Sequence, residues 1–269
     1  MLYLPRYRIL PGQRVETRSS LARGLTRAWT FDSGVAWDAA RGEVTPVTAA
    51  FGAPSFMPMP YQRTLGLYTP NGAAATLGIN DDWYGASTVI WQCRIESVDN
   101  PWGGLWFKSR GGANYQMLMQ RSSSNDRFYI TRGSSASDIT ARSLSSFLNR
   151  TTTFAFVVGG PSSGDPMALY ADGLLVQAFT PAEIQLSGTG SVMLSAEPGL
   201  TATYDSSVYW SSMFRFDRAL SEAEIARIGT LPRERLIRSR RIWVPVSTGG
   251  GGAAIFRRTL SNRIGVRNV

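Results

Sequence analysis

Apolar and polar residues alternate most clearly over residues 86–98, ASTVIWQCRIESV. Val89, Trp91, Cys93 and Ile95 fall on one parity, and Thr88, Ile90, Gln92 and Arg94 on the other. A period of two predicts a strand with one face in a core. The runs GGLWFKSR, NYQMLMQR and RFYITRG follow, separated by Gly, Ser and Asn turns, and predict a meander. RTTTFAFVVGG is a further β-branched and aromatic run. MALYADGLLVQAF predicts a hairpin turning at Ala171-Asp172-Gly173, and RTLGLYTPNGAAATLGI predicts two strands around a Pro-Asn-Gly turn. GSVMLSAE and SSVYWSSMFRFDR supply the last strands, with Phe214 and Phe216 facing a core. Residues 41–63, rich in Pro, Gly and Ala, predict a long loop or irregular edge.

One segment departs from this period. In LSEAEIARIG, Ser221 is a good N-cap and Glu224, three residues on, completes a capping box. Ile225 and Ile228, with Leu220 before the cap, form an apolar face. Gly229 is a natural stop, and Pro232 is expected to prevent continuation. Two turns are too short to stand alone, so the helix must pack on a sheet. Many short strands with regularly spaced turns predict an all-β sandwich or barrel, long enough for a jelly roll, with one short C-terminal helix built on Ser221, Glu224 and Ile225.

The chain has 269 residues, of which 43% are hydrophobic, enough for one large β-domain. It contains no apolar run of the roughly 18 residues a membrane helix needs, so no membrane insertion is expected. The N-terminal residues MLYLPRYRILPGQR lack the apolar stretch of a secretion signal. Without a signal, the Asn149-Arg150-Thr151 sequon reads as chance.

Charge refines this picture. The net charge is +9, from 27 Arg and one Lys, Lys108, against 19 acids. Residues 1–27 carry +5 and residues 230–269 carry +8, leaving −4 on the body. This predicts a basic N-terminal arm over 1–24, a domain over 25–230, and an Arg-rich C-terminal arm over 231–269 with a Gly-rich hinge at 247–252. Either the arms dock on an acidic partner or they are solvated tails. Beyond the hinge, Ile255, Phe256, Leu260, Ile264 and Val266 interleave with arginines, a pattern that suits a segment ordered against a neighbour better than free coil, with plain disorder as the alternative.

No histidine and a single cysteine, Cys93, exclude disulfides within the chain, Cys/His zinc sites and Ser–His or Cys–His catalysis. Cys93 lies in a strand with no base nearby and reads as a buried thiol.

The stretch from the aromatic strand through Asp-Arg-Ala-Leu-Ser-x-x-Glu-Ile, residues 214–225, resembles the laminin-G-like group of concanavalin A-like jelly rolls. LTRAWTFDSG, STVIWQCRIES and LYADGLLV resemble pieces of that family in the same order, over residues 21–230. The resemblance implies a strand crossing the sandwich, with a short helix closing it. LPRERLIRSRRIWVPVS is similar to the segment that follows the helix in bacteriophage and prophage proteins of this group.

That resemblance raises three chemistries. Glycoside hydrolases of the fold need paired carboxylates, and the retaining ones carry Glu-x-Asp-x-x-Glu on one strand. No such spacing occurs here, so the chain is expected not to be an enzyme. Glycan binding needs exposed rings, for which Trp102, Trp106 and Tyr115 are the candidates; core packing is the competing reading, favoured for Trp106 and evenly balanced for Trp102. Calcium needs clustered oxygens, and Asp81 and Asp82, placed in a loop, are weak candidates beside Asn125 and Asp126. No other cofactor is implied. Arginine neutralises phosphate without specificity, but the body lacks basic composition, so nucleic acid is a poorer partner than protein.

The expectation is a structural protein of a phage virion, made in the bacterial host cytoplasm and present in many copies. A place at the tail tip or baseplate is favoured over capsid decoration. Its arms would anchor it to other virion proteins through Arg233, Arg235, Arg238, Arg240, Arg241, Trp243, Phe256, Arg257 and Arg258, while the body meets host-surface carbohydrate. A dedicated glycan-binding adhesion module is the alternative.

Overall fold

A computed structural model describes residues 14–16, 19–60, 64–98, 104–111, 114–121, 126–132, 135–138, 143–180, 185, 187–195, 206–238, 243–245 and 256–258. In chain order, the first strands are β1 (Arg14–Val15), β2 (Leu25–Thr30), β3 (Ala36–Asp38), β4 (Glu43–Thr45), β5 (Val47–Phe51), β6 (Ser55–Pro58), β7 (Leu65–Thr69) and β8 (Ala74–Asp82). The central strands are β9 (Ser87–Ser97), β10 (Gly104–Gly111), β11 (Asn114–Arg121), β12 (Phe128–Arg132), β13 (Ser135–Asp138) and β14 (Thr151–Val158). Then come β15 (Met167–Ala171), β16 (Leu174–Phe179), β17 (Thr189–Leu194) and β18 (Ser207–Phe216). Helices α1 (Glu222–Ile228) and α2 (Pro232–Leu236) precede β19 (Ile237–Arg238), β20 (Trp243–Pro245) and β21 (Phe256–Arg258).

Two antiparallel sheets form the sandwich. One runs β13-β12-β11-β10-β17-β8-β5. The other runs β16-β15-β14-β9-β18-β2-β3-β4, with β7 also on β18 and β6 on β7. Strand β18 is the spine. It pairs β9 along one edge, and along the other it pairs β7 through Val208–Trp210 and β2 through Ser212–Phe216. The predicted meander is present as β10-β11-β12. The hairpin turns at Asp172 and Gly173, both at positive φ (52° and 84°), where glycine is free of Cβ strain.

The chemistry of these runs explains the layers. Trp29, Leu77, Val89, Trp91, Cys93, Ile95, Trp106, Met117, Phe154, Val192 and Met213 meet between the sheets. Each belongs to the inward parity of its strand. Trp91 packs edge-on to Trp106 at 5.1 Å, and stacks with Phe154 at 5.5 Å. Such rings each remove a large apolar area from water. Burial pushes the Cys93 thiol pKa well above its ordinary value, and Asp172 adds to that, so the thiol is inert.

Phe214 and Phe216 are fully buried, but on the other face of β18. There they pack with Ile90, Ala155, Leu220, Ile225, Ile228 and Leu236, beneath the helices. Ser221 Oγ accepts from Glu224 N–H at 3.3 Å, and Glu224 Oε2 accepts from Ser221 N–H at 2.9 Å, so the capping box is complete. Arg218 donates to both Glu224 oxygens, at 2.6 and 2.9 Å. That pairing holds the Glu224 pKa at about 2.

Four expectations change. Residues 41–63 contain β4, β5 and β6 rather than a loop alone. The strands on either side of the Pro70-Asn71-Gly72 turn join different sheets, β7 in one and β8 in the other. Pro232 does not end helical structure; it starts α2 at the first helical position, where its missing N–H costs nothing. Finally, the beginning of the expected C-terminal arm belongs to the body. Pro232, Leu236 and Ile237 are buried, Arg233 is ion-paired with the buried Asp32, and β19 pairs with β1. No described helix is long and apolar enough to cross a membrane.

Candidate ligand-binding cleft

Strand β5 pairs with β8 only over Ala74–Leu77. Past that point β8 continues to Asp82, while the other sheet ends on β4, which pairs with β3 alone. The chain crosses between sheets at Pro46, whose carbonyl accepts from Gly78 N–H at 2.8 Å. By the strand's period of two, Asn80 turns its backbone N–H and C=O the same way, beyond the end of β5. The result is a cleft of about 380 Å3 between two strand edges. Its walls include Val44, Thr45, Pro46, Ile79 and Asn80, and its charged groups are Arg27, Arg41, Glu43 and Asp81.

Arg27 organises the site. It sits in β2 on the same parity as Trp29, so its guanidinium points between the sheets, 5.7 Å from the Trp29 ring centroid. Nε and Nη2 donate to Asp81 at 2.6 and 2.7 Å, and Nη1 donates to Asp38 at 3.0 Å and Glu43 at 3.4 Å. Four of its five N–H donors are therefore used. Asp38 is held in turn by the N–H groups of Ala28 and Ala40, each at 3.0 Å. Burial disfavours the Arg27 charge, but the hydrogen bonds to Asp81 and Asp38 outweigh it and raise the pKa. For Asp81, burial pushes upward and Arg27 pulls more strongly downward, so its pKa is lowered. At the rim, Arg41 touches Asp81 only at 3.4 Å, and Glu43 is half exposed.

A second charged group lies between the sheets. Lys108, the one lysine of the chain, is fully buried on the inward parity of β10 with Trp106. Its Nζ donates to Ser109 C=O at 2.6 Å and lies 5.7 Å from the Trp83 ring centroid. Arg215 approaches the same ring to 5.9 Å. Burial lowers the Lys108 pKa to about 8, against the attraction of Asp82 and Asp81.

The residues expected from sequence are distributed differently. Trp106 is 0% exposed in the core, so a sugar cannot reach its ring; of the two readings open for it, core packing holds and the stacking platform does not. Trp102 lies outside the described residues. Tyr115 pairs with Ser109 through its backbone, and its side chain is not among those described. Asp81 and Asp82 are in β8, not a loop, and face opposite ways. Asp81 binds Arg27, while Asp82 accepts from Tyr84 N–H at 3.0 Å and from Gln116. Asp126 accepts from Ser143 and Ser145; Asn125 is outside the described residues. Among the described residues no group of three or more His, Cys, Asp or Glu side chains is arranged to hold a metal ion.

Of the anchoring residues, Arg233 is committed to Asp32 within the chain and Arg235 is exposed on α2. The backbones of Trp243, Phe256, Arg257 and Arg258 form the β20–β21 hairpin, with Trp243 opposite Arg258. Arg238 pairs with Arg14 through the backbone, and Arg240 and Arg241 lie outside the described residues.

Sequence reasoning missed Arg27, Arg41, Glu43 and Asn80. Parity carried a signal for Arg27 and for the partner it finds in Asp81. Arg27 shares its side of β2 with Trp29, and Asp81 shares its side of β8 with Leu77 and Ile79. An arginine and an aspartate at inward positions of separate strands must find each other, because an unpaired buried charge is too costly.

No family model matches the chain, and no curated protein does. Solved structures do. A sialidase from Trypanosoma rangeli, captured as a covalent intermediate with 2,3-difluorosialic acid, superposes with a TM-score of 0.56 at 15% identity. That match covers 79% of this chain and 33% of the sialidase, so the chain spans about a third of it. Domain 4 of a GH43 extracellular arabinanase from Geobacillus stearothermophilus, in complex with arabinotriose, gives a TM-score of 0.58 at 14% identity. Here 76% of this chain covers 98% of the domain. The binding domain of botulinum neurotoxin DC, in complex with SialylT, gives 0.57 at 13% identity, covering 78% of this chain and 52% of that one. At such identities the likeness establishes the fold, an all-β sandwich of the jelly-roll type.

These matches overturn the expectation that the chain is not an enzyme. The sandwich occurs in a sialidase and in an arabinanase, both enzymes. The sequence argument had excluded only carboxylates spaced along one strand. In the folded chain Asp38, Glu43 and Asp81, from three strands, converge on one guanidinium. Sequence spacing does not register a constellation of that kind.

Proposed function

We propose that this chain is a glycan-recognition domain carried on a bacteriophage particle, with the sugar entering the cleft between β4 and β8. The observation that carries the reading is the match to a domain solved with arabinotriose, 98% of which this chain covers. The cleft adds the chemistry. It offers acceptor and donor groups on Glu43, Arg41 and Asn80, beside the apolar surfaces of Val44, Pro46 and Ile79. Sugars present that same mixture of hydroxyls and C–H faces.

The virion setting rests on the Arg-rich segment after α1, whose likeness to phage proteins is a matter of sequence. The tail tip or baseplate is the favoured location and the capsid surface the alternative, with many copies anchored through the residues beyond β19. Glycan-array binding by the full chain tests recognition; if no glycan binds, the reading fails. Assaying the same glycans for new reducing ends tests whether the cleft also cleaves. Mass spectrometry of purified particles tests the setting, and absence of the chain from them would remove it.

A further inference from the structure

We infer that the cleft selects uncharged glycans and discriminates against carboxylated ones. This rests on the cleft being a glycan site, as proposed above, and it runs against the sialylated ligands of two structural relatives. The argument is one of charge and available donors. Carboxylated sugars are best held by a free guanidinium fork. Arg27, at the base of the cleft, cannot supply one: Asp81 takes its Nε and Nη2, and Asp38 and Glu43 take its Nη1. Drawing it to a ligand would strip the charge partner from Asp38, which is completely buried.

Arg41 remains, at the rim and 49% exposed, but it stands beside Asp81. Arg215 and Lys108 also act on Asp81, and counting Arg27, Arg41, Arg215 and Lys108 against Asp38, Glu43, Asp81 and Asp82, the cluster sums to zero, with no net positive charge to draw a carboxylate in. An incoming carboxylate would bring that to −1 in a partly desolvated space.

An uncharged sugar meets no such penalty. A hydroxyl both donates and accepts, so adjacent hydroxyls can donate to Glu43 and accept from Arg41. Glu43 has an oxygen to offer, since its other oxygen contacts Arg27 only at 3.4 Å. Asn80, where β8 runs past the end of β5, lines the opposite wall. Pro46, between the two walls, can meet a C–H face of the ring.

The test uses the full chain and glycan pairs that differ by one carboxylate: lactose against sialyllactose, with arabinotriose as an uncharged furanose. The uncharged sugars should bind, and the carboxylated partner should bind at least tenfold more weakly. Glu43→Gln and Arg41→Gln, both at half-exposed positions, should each weaken uncharged binding by roughly tenfold while leaving the melting temperature within a few degrees. Glu43→Gln should also narrow the gap between the paired sugars. Equal or tighter binding of sialyllactose overturns the inference but leaves glycan recognition standing. Unchanged uncharged binding in both variants overturns it too, because the sugar then sits elsewhere. If none of these sugars binds, and none on a wider array does, the reading and the inference fall together.

Discussion

Arg27 and Asp81 join the two sheets by a bidentate ion pair, Nε–Oδ2 at 2.6 Å and Nη2–Oδ1 at 2.7 Å. Arg27 belongs to β2 in the larger sheet and Asp81 to β8 in the smaller. Asp81→Asn leaves a buried guanidinium with Asp38 as its main partner. We expect a loss of about 3 kcal/mol in urea unfolding, as for a broken buried pair. The lowered Asp81 pKa means its contribution is present above the unfolded carboxylate pKa and fades as pH falls through the folded value. An unfolding profile of Asp81→Asn that parallels the parent throughout the acid range would rule this out.

Lys108 provides the opposite sign. Its folded pKa of about 8 lies below the ordinary lysine value of 10.5, so the native state releases its proton first. Stability should then rise between pH 8 and 10.5, by on the order of 3 kcal/mol at most. Lys108→Met should flatten that rise and stabilise the protein near neutral pH, because a buried charge is replaced by a side chain of similar length. Calorimetry of both proteins across this range is the measurement.

Glu224 gives a third pH window. Pairing with Arg218 and the Ser221 cap hold its pKa near 2, against 4.5 unperturbed. The contribution is complete above the unfolded value and is lost as pH falls from 4.5 toward 2. Glu224→Gln should remove this acid-dependent part, and Ser221→Ala should cost about 1 kcal/mol at neutral pH. Thermal melts at pH 7 and pH 3 separate the two.

Trp106 should matter for folding and not for ligands. Trp106→Ala is expected to cost about 3–5 kcal/mol by opening a cavity against Trp91 and Phe156. The milder Trp106→Phe should fold and keep any glycan affinity unchanged. A specific loss of binding in folded Trp106→Phe would restore the ring as a platform.

Truncation separates anchoring from folding. Deleting residues 231–269 removes Leu236 and Ile237 from the face of Phe214 and Phe216, and should lower stability sharply. Deleting residues 239–269 spares that face. The shorter deletion should melt like the parent, and in the proposed virion setting it should fail to enter particles. Normal incorporation would end the anchoring proposal.

The strands and the α1 helix were legible because their determinants are local. The parity of Val89, Trp91, Cys93 and Ile95 identifies a half-buried strand, and Ser221 with Glu224 identifies a cap, without knowledge of anything distant. Trp106 was left between core packing and glycan stacking because its glycine-rich flanks suit an exposed loop; its burial settles it as the core residue the sequence favoured.

Only the tertiary structure decided which strands are neighbours, and with that the cleft. Arg27, Asp38, Glu43 and Asp81 lie up to 54 residues apart, and they meet because β8 outruns β5 where the other sheet ends on β4. Periodicity settles which face a side chain takes, since that follows from backbone geometry alone. Pairing between strands depends on long-range burial and hydrogen bonding summed over the whole sandwich. The sequence therefore determined a jelly-roll body with a capped closing helix, and packing decided where its charges gather.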